Sequence, residues 1–257
     1  MDERIYLRPS GINTFRECGA KYLFQFVENV QAPNKIHLAF GNSIHKANEV
    51  NFSQKVETKT DLPTEEVKQI FSDEFDNELS EVDKNDFALI NPGQMKDGGL
   101  KLIEHYQKFY APRIMPVAVE QRIKVTFKNY DYGLSCKIDV YDQDGIIIDH
   151  KSTKKKVNGA VPEDYKLQVG GAYVIAEEAT KREVKGARID YFDWVRNEFH
   201  PIAVPIDKEY FMNIFQITGD AIKAGIFMPN RKSFFCSKRY CKYWNICESK
   251  YGGKVKE

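Results

Sequence analysis

Asp139 and Asp149 stand ten residues apart in a stretch that reads as two adjacent strands, and Lys151 follows Asp149 by two. Residues two apart on a strand point to the same side, so Asp149 and Lys151 share a face. Two facing carboxylates repel unless a cation lies between them. Oxygen ligands of this kind suit Mg2+ or Mn2+, at about 2.1 Å for magnesium. With an ammonium group close by to orient a water molecule, such a site can hydrolyse a phosphodiester, the ion polarising the phosphoryl group and stabilising the leaving oxygen. The run Ile146-Ile147-Ile148 leading straight into Asp149 reads as a buried strand. A carboxylate at the end of one is costly unless something pairs with it.

The five cysteines are Cys18, Cys136, Cys236, Cys241 and Cys247. The last three follow the spacing Cys-x4-Cys-x5-Cys among Phe234, Phe235, Tyr240, Tyr243 and Trp244, which reads as a shielded metal site. Cys136, between Ser135 and Lys137 in mid-strand, reads as a small core hydrophobe. Lys151, Lys154, Lys155 and Lys156 put four lysines into six residues leaving the acidic strand, suited to neutralising backbone phosphates.

The elements that must position these groups follow from periodicity. Residues 8 to about 51 read as a helix carrying Ile12, Phe15, Tyr22, Leu23 and Phe26, with Ser10 as N-cap. A turn then leads to a second helical piece bearing Ala39, Phe40, Ile44, Ala47 and Val50. Residues 52–62 read as a polar loop, 64–79 and 99–110 as amphipathic helices, and Asn91-Pro92-Gly93 as a turn. From Pro116 the chain turns β-rich. Strands at 117–127, 134–141 and 146–150 form a meander, and a helix follows at 163–180. A hairpin spans 187–206 around Arg196-Asn197, and Asp207 caps a last long helix. This order predicts an α/β or α+β chain with a mixed sheet.

The 257 residues carry 38 Lys and Arg against 37 Asp and Glu, a net charge of +1, which excludes a polybasic tail-type binder and an acidic solvating chain. At 42% hydrophobic and 13% aromatic content, the chain has a core's worth of apolar residues and is not disordered. No apolar run approaches the ~20 residues that span a bilayer. Met1-Asp2-Glu3-Arg4 is charged and lacks a following apolar stretch, so the expectation is a soluble, cytoplasmic protein without membrane association. Gly41-Asn42-Ser43 and Gly98-Gly99 do not complete a Gly-x-x-x-x-Gly-Lys, so no phosphate-loop motor is expected.

Four motifs in one order resemble the RecB-like PD-(D/E)xK exonucleases, including AddB-like, CRISPR-associated and phage-type members. They are Thr14-Phe15-Arg16-Glu17-Cys18, the Gly-x-x-x-His of Gly41 to His45, Asp139 with Asp149-His150-Lys151, and the cysteine triplet. The resemblance runs from Ser10 to Cys247 and implies an α/β fold. A mixed central sheet flanked by helices, the restriction-endonuclease-like core, would follow N-terminal helices and precede a cysteine-rich C-terminal tail. It implies metal-dependent hydrolysis of DNA from its ends. His45, Asp139, Asp149 and the backbone carbonyl of His150 would hold Mg2+ or Mn2+, with Lys151 positioning water and Gln168 orienting Lys151 or a phosphate. Glu120 would lie near the metal. Lys154, Lys155 and Lys156 would guide the strand. Cys18, Cys236, Cys241 and Cys247 would hold a structural [4Fe–4S] cluster. Here the first C-terminal cysteine gap is four residues where relatives commonly have two. The tyrosine usual four residues after the glutamine is Tyr173, five after Gln168; Tyr165, three before it, could fill the same space.

On this reading residues 1–257 form a single nuclease domain. It comprises a helical region 1–115, the core 116–225 and a tail 226–257 that pairs with Cys18. The implied partners are DNA, as a single strand or a duplex end, and proteins of a repair, recombination or CRISPR-adaptation complex. Two alternatives stay open: a non-catalytic DNA-binding or assembly module that keeps the fold, and a nuclease stapled by zinc.

Overall fold

Ile147 and Ile148 are buried to within 1% of full coverage, and they carry the strand at the centre of the molecule's larger unit. The computed structural model describes residues 4–31, 34–82, 87, 90–180 and 183–257; the charged Met1-Asp2-Glu3 start lies outside them. The elements run β1 (Tyr6–Leu7), α1 (Pro9–Glu17), α2 (Gly19–Tyr22), α3 (Ile36–Thr58), α4 (Thr64–Leu79), α5 (Pro92–Phe109), β2 (Pro116–Thr126), β3 (Gly133–Asp142) and β4 (Ile146–Thr153). They continue as α6 (Glu163–Thr180), β5 (Gly186–Asp193), β6 (Glu198–Ala203), α7 (Lys208–Lys223) and α8 (Trp244–Tyr251). No helix among the described residues is long and apolar enough to cross a membrane.

The chain divides into two compact units, one of residues 1–32, 124–136 and 207–257, the other of 33–123 and 137–206. In the larger unit β3 pairs antiparallel with β4, β4 parallel with β5, and β5 antiparallel with β6. The parallel pair is joined through α6, as a parallel connection requires. The result is the mixed sheet flanked by helices that the sequence predicts. Helices α3, α4 and α5 contribute Phe40, Phe52, Phe71, Phe75, Leu102 and Tyr106 to a core that also takes Val140, Ile148 and Phe192 from the strands. Gly99 lets α4 and α5 approach closely: a Cβ there would lie 2.1 Å from the Phe71 ring.

Several boundaries differ from the sequence reading. α3 continues to Thr58 through what read as loop, because Phe52 and Lys55 bury one turn apart. α1 starts at Pro9, with Arg8 at the cap position, and Ser10 lies inside the helix; a proline at the first position presets the helical φ. α5 starts at Pro92 instead of 99, since the Asn91 side chain accepts from Gln94 N at 3.1 Å and caps it. Cys136 is half-buried and not a core residue.

Lys55 is 1% exposed, and its Nζ donates to Asp61 Oδ2 at 2.7 Å and to the Ala111 carbonyl at 2.8 Å. Asp61→Ala leaves that ammonium buried without its counter-charge, and a cost of about 3–5 kcal/mol is expected. Lys55→Met, which removes the charge and keeps much of the volume, should be far milder. Chemical denaturation midpoints of the two variants check this; a loss below about 1 kcal/mol for Asp61→Ala would refute it.

In the smaller unit β1 pairs parallel with the start of β3, Tyr6 against Gly133 and Leu7 against Leu134. Cys18 breaks the first helix: with φ −165° and ψ 113° it is extended and separates α1 from α2. Ala20, Leu23, Phe24, Tyr243 and Cys247 form the small core beside it.

Candidate active site

The strand ladder sets the site. Val140 faces Ile148 and Tyr141 faces Ile147, so the next pair in that register is Asp139 with Asp149. Asp139 lies beside the helix residue His45, whose Nδ1 is 3.4 Å from Asp139 Oδ2 and 3.5 Å from Glu120 Oε1. Asp139 Oδ2 also accepts from the backbone N–H of His150 at 2.8 Å. Lys151 Nζ lies 2.5 Å from Asp149 Oδ2, and Gln168 Nε2 donates to Asp149 Oδ1 at 3.4 Å. Glu120 pairs with Lys137 as well. His45, Glu120, Asp139, Asp149, Lys151 and Gln168 are thus gathered in the larger unit.

Glu120 reaches the site through its backbone. Its φ is +50°, in the left-handed region that a side chain rarely adopts, in the middle of β2. A local distortion of this kind re-aims a strand residue and is tolerated where the surroundings hold it. No feature of the sequence signals it. The positions of the tyrosines are settled by their contacts. Tyr165 lies under Lys151, whose Nζ is 5.6 Å from its ring centre, while the Tyr173 hydroxyl donates to the Val184 carbonyl at 3.0 Å and is not in this group.

The side chain of His150 was absent from the sequence reading, which used only its carbonyl. It is 1% exposed, stacked 6.2 Å from the Phe52 ring, with Nε2 at 3.2 Å from the Tyr106 hydroxyl. That hydroxyl donates to Asp190 Oδ2 at 3.3 Å, and Arg188 holds Asp190 at 2.9 Å. Tyr106 had read only as part of an amphipathic stripe, so this buried chain had no signal in the sequence. Ring nitrogens of His45 and His150 and an Asp139 oxygen all lie within 4.8 Å of one another.

The residues fit a divalent cation. Side chains of Glu120 and Asp139 are only 6% and 12% exposed, and Glu120 Oε2 and Asp149 Oδ2 are buried against the ammonium groups of Lys137 and Lys151, the positive charge they face in place of an ion. Burial pulls the His45 imidazole down, but Asp139 and Glu120 more than offset it and hold its pKa above the usual value. His150 is pushed well down by burial and stays neutral. Burial of Asp139 pushes its carboxyl up to about 6, Asp149 and Glu120 adding while His45 and Lys151 oppose.

A cation takes the ionised carboxylate, so below about pH 6 it must displace a proton from Asp139. Mn2+ affinity is expected to rise from pH 5 to pH 7 by up to about tenfold per unit for each proton displaced, with His45 acting in the same sense. Without metal the folded state binds this proton more tightly than the unfolded chain, whose carboxyl sits near 3.8, so stability falls as pH rises through that window. Calorimetric Mn2+ titrations at several pH values check the first trend; a flat affinity would remove Asp139 from the ligand set.

Cys18, Cys236, Cys241 and Cys247 line one pocket of the smaller unit with Phe24, Tyr243 and Trp244. All four are free thiols. Cys18 Sγ accepts from Asn230 N at 3.3 Å. Burial raises the Cys241 and Cys247 thiols, and both feel Cys18 and Cys236 as charged neighbours. Four thiols lining one apolar pocket fit a four-thiolate metal group.

A family model described as the PD-(D/E)XK nuclease superfamily matches residues 7–248. No curated protein matches the chain. Among solved structures, the crystal structure of SSO0001 is similar over 93% of this chain and 95% of that one, at 14% identity and a TM-score of 0.39.

Proposed function

The chain belongs to the PD-(D/E)XK nuclease superfamily, and from that premise we propose that it is a RecB-like exonuclease, dependent on Mg2+ or Mn2+, that hydrolyses DNA from its ends. The observation that carries this reading is the half-buried placement of Asp139 and Asp149 at the next register step of the β3–β4 ladder, with His45 beside Asp139 and Lys151 beside Asp149. His45, Asp139, Asp149 and the carbonyl of His150 would hold the ion, with Glu120 adjacent. When bound, the ion supplies Lewis-acid polarisation of the phosphoryl group and a lowered pKa for water.

The chain's own groups do the positioning. The Lys151 ammonium donates toward the attacking water or the phosphate, and Gln168 holds Asp149 in place through its amide. The Lys154-Lys155-Lys156 run tracks the backbone. Cys18, Cys236, Cys241 and Cys247 hold a [4Fe–4S] cluster with a structural role, in a protein that acts beside repair, recombination or CRISPR-adaptation proteins.

The test is digestion of end-labelled single- and double-stranded DNA with Mn2+, with and without chelator. Metal-dependent release of label as mononucleotides or short products supports the reading and gives the polarity. Cleavage of closed circles as fast as of linear DNA would overturn the end-dependence. Binding without any cleavage would leave only a DNA-binding module.

A further inference from the structure

Beside the acidic site, within the same unit, the loop leaving β4 and the start of α6 enclose an open cleft of about 410 Å³, within the size range of small-ligand sites. Lys154, Lys155 and Lys156, all exposed, line it together with Tyr165, Tyr191 and Trp194. Tyr165 joins the cleft to the acidic site, since its ring lies 5.6 Å from Lys151 Nζ on one side and 6.1 Å from the Tyr191 ring on the other. Trp194 is half-buried, its ring 6.1 Å from that of His37.

The decisive group is Tyr191. It is 5% exposed, and its hydroxyl is buried with no hydrogen-bond partner. Burial pushes that phenol up to about 12, so it stays protonated and can donate. An unmade bond at a buried hydroxyl is costly, and a ligand oxygen would recover it. Cations, aromatic faces and an orphan donor in one cleft match the three parts of a nucleotide: phosphate, base and sugar or phosphate oxygen. A base can enter only when unstacked, which a single strand offers and an intact duplex does not.

We propose that this cleft holds one nucleotide of a single-stranded DNA segment entering the acidic site. Its phosphate lies on Lys154, Lys155 and Lys156, its base against Trp194 and Tyr165, and the Tyr191 hydroxyl donates to a phosphate or sugar oxygen. The inference deepens the nuclease reading and rests on it for the identity of the strand.

The test is calorimetric titration of the full chain in chelator, so that nothing is cut, with deoxyadenosine 5′-monophosphate and with deoxyribose 5-phosphate. The nucleotide should bind at least about tenfold tighter than the sugar phosphate. Trp194→Ala should abolish that difference, and Tyr191→Phe should weaken nucleotide binding about fivefold or more. Tyr191→Phe keeps the ring and its packing, so it reads the hydroxyl even if Trp194→Ala fails to fold. Equal binding of the two probes, or unchanged binding by Tyr191→Phe, overturns the proposal. A parent that digests DNA but ignores the nucleotide sinks the cleft alone. A parent that binds the nucleotide but never cuts supports the cleft and sinks the nuclease reading.

Discussion

Lys151→Ala is expected to slow DNA digestion on the order of 10³-fold, about 4 kcal/mol of barrier, with Mn2+ affinity within a few-fold of the parent. The asymmetry follows from what the side chain touches. The Lys151 side chain is 17% exposed and its Nζ lies 2.5 Å from Asp149 Oδ2, so its proposed contribution is charge and hydrogen bonds and not a ligand position. Burial alone would lower the amine's pKa, but Asp149 and Asp139 outweigh it and hold it above the usual value. The group is therefore an ammonium at neutral pH, and in the proposed mechanism it serves as a donor to water or phosphate and not as a base that takes the proton. Asp149→Asn should behave oppositely, losing metal affinity first and rate as a consequence. Near-ultraviolet circular dichroism shows whether each variant folds, and a full metal titration of rate separates affinity from turnover. Digestion by Lys151→Ala within threefold of the parent would place the chemistry elsewhere.

How much of this was readable beforehand depends on which residues carry the signal. The meeting of Asp139 with Asp149 follows from period-two strands joined by a short turn, and both the Ile146-Ile147-Ile148 run and the Asp144-Gly145 turn are plain in the sequence. The mixed sheet with its α6 crossover follows from the order of periodic segments. Glu120 enters through a left-handed φ in the middle of β2, a backbone event that no residue type announces. The last two turns of α3 were hidden because their inward position is a lysine, Lys55, which is neutralised by Asp61 from the following loop. The Tyr106–His150 contact joins residues 44 apart on elements with different periods, so neither stripe implies the other. The orphan hydroxyl of Tyr191 is of the same kind, since only the tertiary fold shows that no hydrogen-bond partner comes with its burial.

The other large effect belongs to the cysteines. Cys18→Ser or Cys236→Ser is expected to remove the broad absorbance near roughly 400 nm that a cysteine-ligated iron cluster gives, along with the bound iron. The smaller unit should lose stability on the order of several kcal/mol, the scale on which closing a loop of more than one hundred residues acts. The proposed staple would act on a segment with little regular structure of its own. Between Lys223 and Trp244 the chain has neither helix nor extended strand, only turns and the isolated Ser237–Lys256 bridge. Beside Cys18 lies a buried cluster of Ala20, Leu23, Phe24, Tyr243 and Cys247, and one of those five is itself a proposed ligand. Cys18 is presented at the α1–α2 break, where an extended residue turns its sulfur toward the pocket that Cys236, Cys241 and Cys247 also line. On the proposed reading, a four-thiolate group offsets the ordering entropy of a segment with so little regular structure. Cys136→Ser, half-buried and outside the pocket, should leave iron content and colour untouched. Metal analysis, absorbance and protease resistance of the tail read all three variants. A colourless protein with one zinc per chain would replace the cluster by zinc and keep the staple. A parent with neither metal whose tail resists protease as well in Cys236→Ser would remove the staple altogether.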